Sequence, residues 1–83
     1  MTQTQREEAI KIAGTSPICP EYNLHPDDSW DCEWTTPSDG HTIIVGKQMS
    51  GDTVFQIFVD LNTQKVVKSY RNPSISEVKH PMY

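Results

Sequence analysis

Two cysteines, Cys19 and Cys32, and three histidines, His25, His41 and His80, are the side chains of this 83-residue sequence best suited to chemistry. Together they offer enough ligands for zinc. Structural zinc sites, however, draw their ligands in close sequence pairs such as C-x-x-C or H-x-x-x-H, and no such pair is present. The histidines therefore read as turn and tail residues. A thiol nucleophile needs positively biased surroundings for its thiolate. Cys32 instead stands between Asp31 and Glu33, which raise its pKa, and Cys19 stands between Ile18 and Pro20. A disulfide is the other use of the pair. Closing the 12-residue segment between Cys19 and Cys32 would stabilise an oxidised chain by roughly 2–3 kcal/mol, whereas a reducing compartment leaves two thiols.

The carboxylates are the next candidates. From Ile12 to Gly46 there is no Lys or Arg, but there are six acids: Glu21, Asp27, Asp28, Asp31, Glu33 and Asp39. They lack the EF-hand spacing and its central glycine. A chain this short also has little room for two carboxylates facing across a sugar cleft. The four glycines are scattered, so no phosphate-cradling loop exists. No catalytic residue, metal or cofactor is expected. The acidic middle repels a phosphate backbone, which argues against direct nucleic-acid binding. The acids read either as a solvated loop or as a docking surface for a basic partner.

These residues must be positioned by a small domain with a thin core, about one sheet and one helix. Thr4-Gln-Arg-Glu7 fits a capping box, with Glu7 and Glu8 in the first turn of a helix over about Gln5 to Ala13. Ala9, Ile10, Ile12 and Ala13 form its apolar stripe, and Gly14 ends it. Three prolines in the next stretch, Pro17, Pro20 and Pro26, deny a helix and predict an irregular crossing anchored by Ile18, Tyr22 and Leu24.

Four strands follow. WDCEWTT alternates, with Trp30, Cys32 and Trp34 on one face. TPSDG turns the chain into HTIIVGKQ, and QMSGD, with Gly51 available for a positive φ, leads to TVFQIFVDL. That strand carries an aromatic on each face, which marks it as central. KVVKSY returns as a shorter strand, and Ser74 to Glu77 offers one capped helical turn in the remainder. The predicted fold is α+β: one N-terminal helix on a four-stranded antiparallel meander, a single domain over 1–72 with a tail over 73–83.

The helix segment REEAIKIA and the last hairpin VFQIFVDLNTQKVV resemble the PepSY-like domains, small cystatin-like α+β modules. The helix match lies on Glu7, Glu8, Ala9, Ile12 and Ala13. The hairpin match lies on Phe58, Val59, Asp60, Thr63, Lys65 and Val66. Gln64 stands where the family pattern has glycine. The resemblance implies a binding or inhibitory module without catalytic residues.

The expected function is therefore a small non-catalytic protein- or peptide-binding module. Tyr22, Asp27, Asp28, Trp30, Asp31 and Trp34 are its candidate contact residues, the two Trp serving either as core or as an exposed aromatic patch. The alternative is a small intracellular or phage-type regulator whose acidic middle occupies a basic, nucleic-acid-binding surface. No apolar run is long enough to span a membrane. The polar start MTQTQREEAI is unlike a signal peptide, so the cytoplasm is the expected compartment, or the periplasm or exterior if a leader is removed. Open sheet edges allow a monomer or an edge-paired dimer.

Overall fold

The computed structural model describes residues 1–48 and 53–72. It has the predicted α+β arrangement, one N-terminal helix lying on a four-stranded antiparallel sheet in the order β1-β2-β3-β4. The element order is α1 (Gln3–Ala13), α2 (Ile18–Glu21), β1 (Asp31–Trp34), β2 (Thr42–Gln48), β3 (Val54–Asp60) and β4 (Lys65–Asn72).

α1 starts two residues earlier than the Thr4 pattern suggests. Its N-cap is Thr2: the Gln5 N–H donates to Thr2 Oγ1 at 3.1 Å, and the Thr2 N–H donates to Gln5 Oε1 at 2.9 Å. TQTQRE contains two overlapping capping boxes, and the upstream one gives the longer helix. Glu7 consequently falls outside the first turn, which holds no acid. Ala9, Ile12 and Ala13 form the buried stripe, and the two alanines let the helix axis approach the sheet closely. The helix ends at Gly14, whose N–H donates to Ile10 O at 3.0 Å.

The proline-rich crossing is not wholly irregular. Ile18–Glu21 form one helical turn. Pro17 precedes it and Pro20 lies within its first turn, where backbone N–H groups have no intrahelical acceptor and proline loses nothing. Leu24 is buried, Ile18 packs against the core, and the Tyr22 ring lies 5.0 Å from that of Phe55. Thus all three expected anchors touch the core or its margin. Buried Ser16 ties this segment to the sheet through a 2.6 Å hydrogen bond between its Oγ and that of Ser69.

β3 pairs with both β2 and β4, as its two apolar faces predict. β4 runs eight residues and is longer than the KVVKSY segment suggests, because Arg71 and Asn72 continue pairing with Phe55 and Val54. Ile43, Val45, Phe55, Ile57 and Val59 project from the two central strands under α1 and form the floor of the core. Each such side chain contributes about 1.5–3 kcal/mol on burial. Cys19 and Cys32 are free thiols, so the bridge their spacing permits is not formed. Cys19 is the buried residue of α2 and its thiol donates to Ala13 O, while Cys32 belongs to the sheet edge. The Gly51 turn, the Ser74–Glu77 cap, His80 and the 73–83 tail lie outside the described residues.

Candidate interaction surface

An antiparallel ladder places directly opposed residues on one side of the sheet. Cys32 opposes Val45, Val45 opposes Ile57, Trp34 opposes Ile43, and Ile43 opposes Val59. This is the side that α1 covers. The intervening rows face the other way. In one, Glu33, Ile44, Phe58 and Lys68 are successive neighbours across β1 to β4; in the next, Asp31, Gly46, Gln56 and Tyr70 are. Among the described residues, no helix or strand lies over these rows.

The uncovered side is partly apolar. Phe58 and Tyr70 pack edge to face with centroids 5.9 Å apart, and Lys68 Nζ lies 4.6 Å from the Phe58 ring centre and 5.4 Å from that of Tyr70. Tyr70 is 45% exposed and Val67 57%. Val67 is the extra residue of a β-bulge opposite Phe58 and Val59, which swings its side chain out of the regular alternation. Gly46 leaves the centre of β2 without a side chain. A shallow depression of about 350 Å³ opens there, bounded by Asp31, Glu33, Ile44, Val54 and Gln56. The surface is thus acidic along β1, apolar in the middle, and basic along β4.

The residues expected from sequence divide differently. Trp30 is buried: its Nε1–H donates to His25 O at 3.0 Å, and its carbonyl accepts from Arg6 Nη2 at 2.6 Å. Trp34 is half-buried against the same core. The Trp face therefore belongs to the interior, not to an aromatic patch for a partner. Tyr22 lies on the helix side, its ring tilted against that of Phe55, with the Arg71 guanidinium 5.3 Å from its ring centre. Asp28 accepts the His25 N–H at 2.9 Å and lies 4.0 Å from Lys47 Nζ, so its charge is already engaged locally. Asp27 is exposed. Only Asp31, of the six, borders the uncovered face.

Thiolate chemistry is disfavoured at both cysteines. Burial pushes the Cys19 thiol pKa up. Burial also raises Cys32, opposed by the Arg6 charge and reinforced by Asp31. The sequence argument named the flanking acids, but desolvation is the larger cause. His41 occupies a constellation that sequence reading missed. Its Nε2 lies 3.4 Å from Asp39 and its Nδ1 3.1 Å from Asp60. The two carboxylates flank opposite sides of the imidazole, so all three groups cannot converge on one ion. Among the described residues no three His, Cys, Asp or Glu side chains gather as a metal site.

The Asp39–His41–Asp60 cluster instead joins two turns. Asp39 accepts from Thr42 Oγ1 and from the His41 and Thr42 N–H groups, and these bonds lower its pKa to about 2. Asp60 is partly desolvated, which raises its pKa, but the Asn62 and Thr63 N–H groups and His41 outweigh that and hold it below the usual carboxylate value.

No family model, curated protein or solved structure matches the chain. The surface must therefore be read from its own geometry. Phe58, Tyr70, Ile44 and Lys68 are the contact candidates that the sequence reading passed over. Their signal was present in VFQIFVD, which has an aromatic on each face. A single helix can cover only one of those faces, so the second aromatic row is left outside.

Proposed function

We propose that this chain is a small non-catalytic protein-binding module that engages its partner through the uncovered side of its sheet. One observation carries the reading: Phe58, Tyr70 and Ile44 form an apolar strip across three strands of a rigid sheet, beside a depression at Gly46, with unlike charges at its two ends. Aromatic residues in such a patch supply binding energy at low entropic cost, and the flanking charges supply orientation. The likeness of α1 and the last hairpin to PepSY-like domains supports the same class, a binding or inhibitory module.

The acidic-segment reading keeps a narrower basis. Asp27 and Asp31 are exposed, whereas Asp28 is tied to the His25 backbone. Affinity capture from the native cells separates the two. A partner held by the sheet face is lost with Phe58→Asp and retained with Asp27→Lys/Asp28→Lys. A basic partner of the acidic segment shows the reverse pattern and a steep salt dependence. Retention of the specific partner by Phe58→Asp, with the variant folded by circular dichroism, refutes the sheet-face reading.

A further inference from the structure

The charge and shape pattern of this face matches a second copy of itself. Consider a two-fold axis parallel to the strands, lying between two stacked sheets and midway between β2 and β3. Rotation about it exchanges β1 with β4 and β2 with β3, and leaves position along the strands unchanged. The row Glu33, Ile44, Phe58, Lys68 then falls on its own reverse. Glu33 meets Lys68 of the other copy, and Ile44 meets Phe58. In the adjacent row Asp31 meets Tyr70, an acceptor against a phenol donor, and the depression at Gly46 receives Gln56. Each contact occurs twice, as a two-fold interface requires.

We propose that the chain forms a closed, two-fold dimer by stacking these two sheet faces. The proposal rests on the contact-surface reading and names the partner as the chain itself. Sheets stack about 10 Å apart with strands within about 30° of alignment, and the long Glu and Lys side chains span the offset this angle creates at the edge strands. Pairing through edges fits less well. A β4–β4 edge brings Lys68 toward a second basic strand, and a β1–β1 edge brings acids together. A β1–β4 edge matches charges but does not close, and so yields chains of growing length. Four strands of four to eight residues, spaced by about 4.8 Å, present roughly 420 Å² per copy before side-chain relief is counted. Doubled, this falls below the usual range of stable interfaces and among weak, transient ones, so the dimer has a Kd of roughly 10–100 µM.

Sedimentation velocity on the full chain tests this, over about 5 to 500 µM so as to bracket such a Kd. The 9.4 kDa species should convert to twice that mass and stop there. Glu33→Lys or Lys68→Glu alone sets like charges together at both ends and should weaken association about tenfold or more. Mixed in equal amounts, the two variants regain unlike charges at both ends, and a one-to-one dimer should return. This recovery also shows that each variant is folded. A single 9.4 kDa species at all concentrations overturns the proposal, as does growth past two chains. So does association that survives Phe58→Asp, or a mixture that fails to recover. A chain that remains monomeric, yet loses its captured cellular partner with Phe58→Asp, removes the dimer and leaves the contact-surface reading standing.

Discussion

Gln64 sits at φ +58°, in the left-handed region, and closes the β3–β4 turn through a 2.8 Å bond from its N–H to Asp60 O. A residue with a Cβ is strained there by about 1 kcal/mol. Its side chain offers partial compensation, since Nε2 donates to Glu8 Oε1 at 2.8 Å and links the turn to α1. Gln64→Ala keeps the strain and loses the bond; Gln64→Gly loses both. The glycine variant should exceed the alanine variant by about 1 kcal/mol in urea unfolding. Glycine, which has no Cβ, takes this backbone conformation without the strain. At the other turn, Asp39 is held near a pKa of about 2, below its unfolded value of about 3.9. A depressed carboxylate stabilises the fold above its unfolded pKa, and that contribution disappears as pH falls through the folded value. Asp60 acts in the same direction. The Tm of the native chain should therefore drop between about pH 4 and pH 2. Asp39→Asn should begin lower at pH 6 and fall less steeply, so that the two curves converge in acid.

At the scale of elements, legibility followed the strength of local periodicity. β1, β2 and β3 were readable because Trp30-Cys32-Trp34, Ile43-Val45 and Phe55-Ile57-Val59 alternate with polar or less buried residues, and burial follows that alternation. The start of α1 was ambiguous because TQTQRE holds two caps, and only helix length decides between them. α2 was hidden by its prolines, which exclude a helix interior but are compatible with a first turn. The contact site was the least legible feature. Trp30 and Trp34 advertise binding by residue type, yet which face of a strand is covered depends on where α1 docks. That is a tertiary fact, absent from any local window. The packing around Trp30 gives a direct test. Replacing it by Phe keeps most of the ring contact but leaves the His25 carbonyl without its donor, and should cost about 1–2 kcal/mol. Trp30→Ala also leaves a cavity in the core. At about 3–5 kcal/mol it should leave the chain largely unfolded at 25 °C, by near-ultraviolet circular dichroism.

The whole molecule is two layers, with its apolar floor on one side of the sheet and a second, smaller apolar strip on the other. A domain of this size buries only about 60% of its unfolded surface, so its stability is small and any association of the native state raises it measurably. Charge is distributed across the same slab: Asp31 and Glu33 on the β1 edge, Lys65 and Lys68 on β4. Stability and self-association are then coupled through one face. If native chains pair and unfolded chains do not, raising the concentration tenfold above the dissociation constant adds about 1 kcal/mol per chain. For a domain of this length that corresponds to a rise of roughly 4–8 °C in Tm. The native chain should show this rise between dilute and concentrated samples in differential scanning calorimetry. Lys68→Glu provides the contrast. Its side chain is exposed, and its loss removes only ring contacts with Phe58 and Tyr70 within the monomer. Its dilute Tm should therefore stay close to that of the native chain, while its concentration dependence shrinks. A Tm that rises equally in both proteins would place the association on a surface other than the Phe58 face.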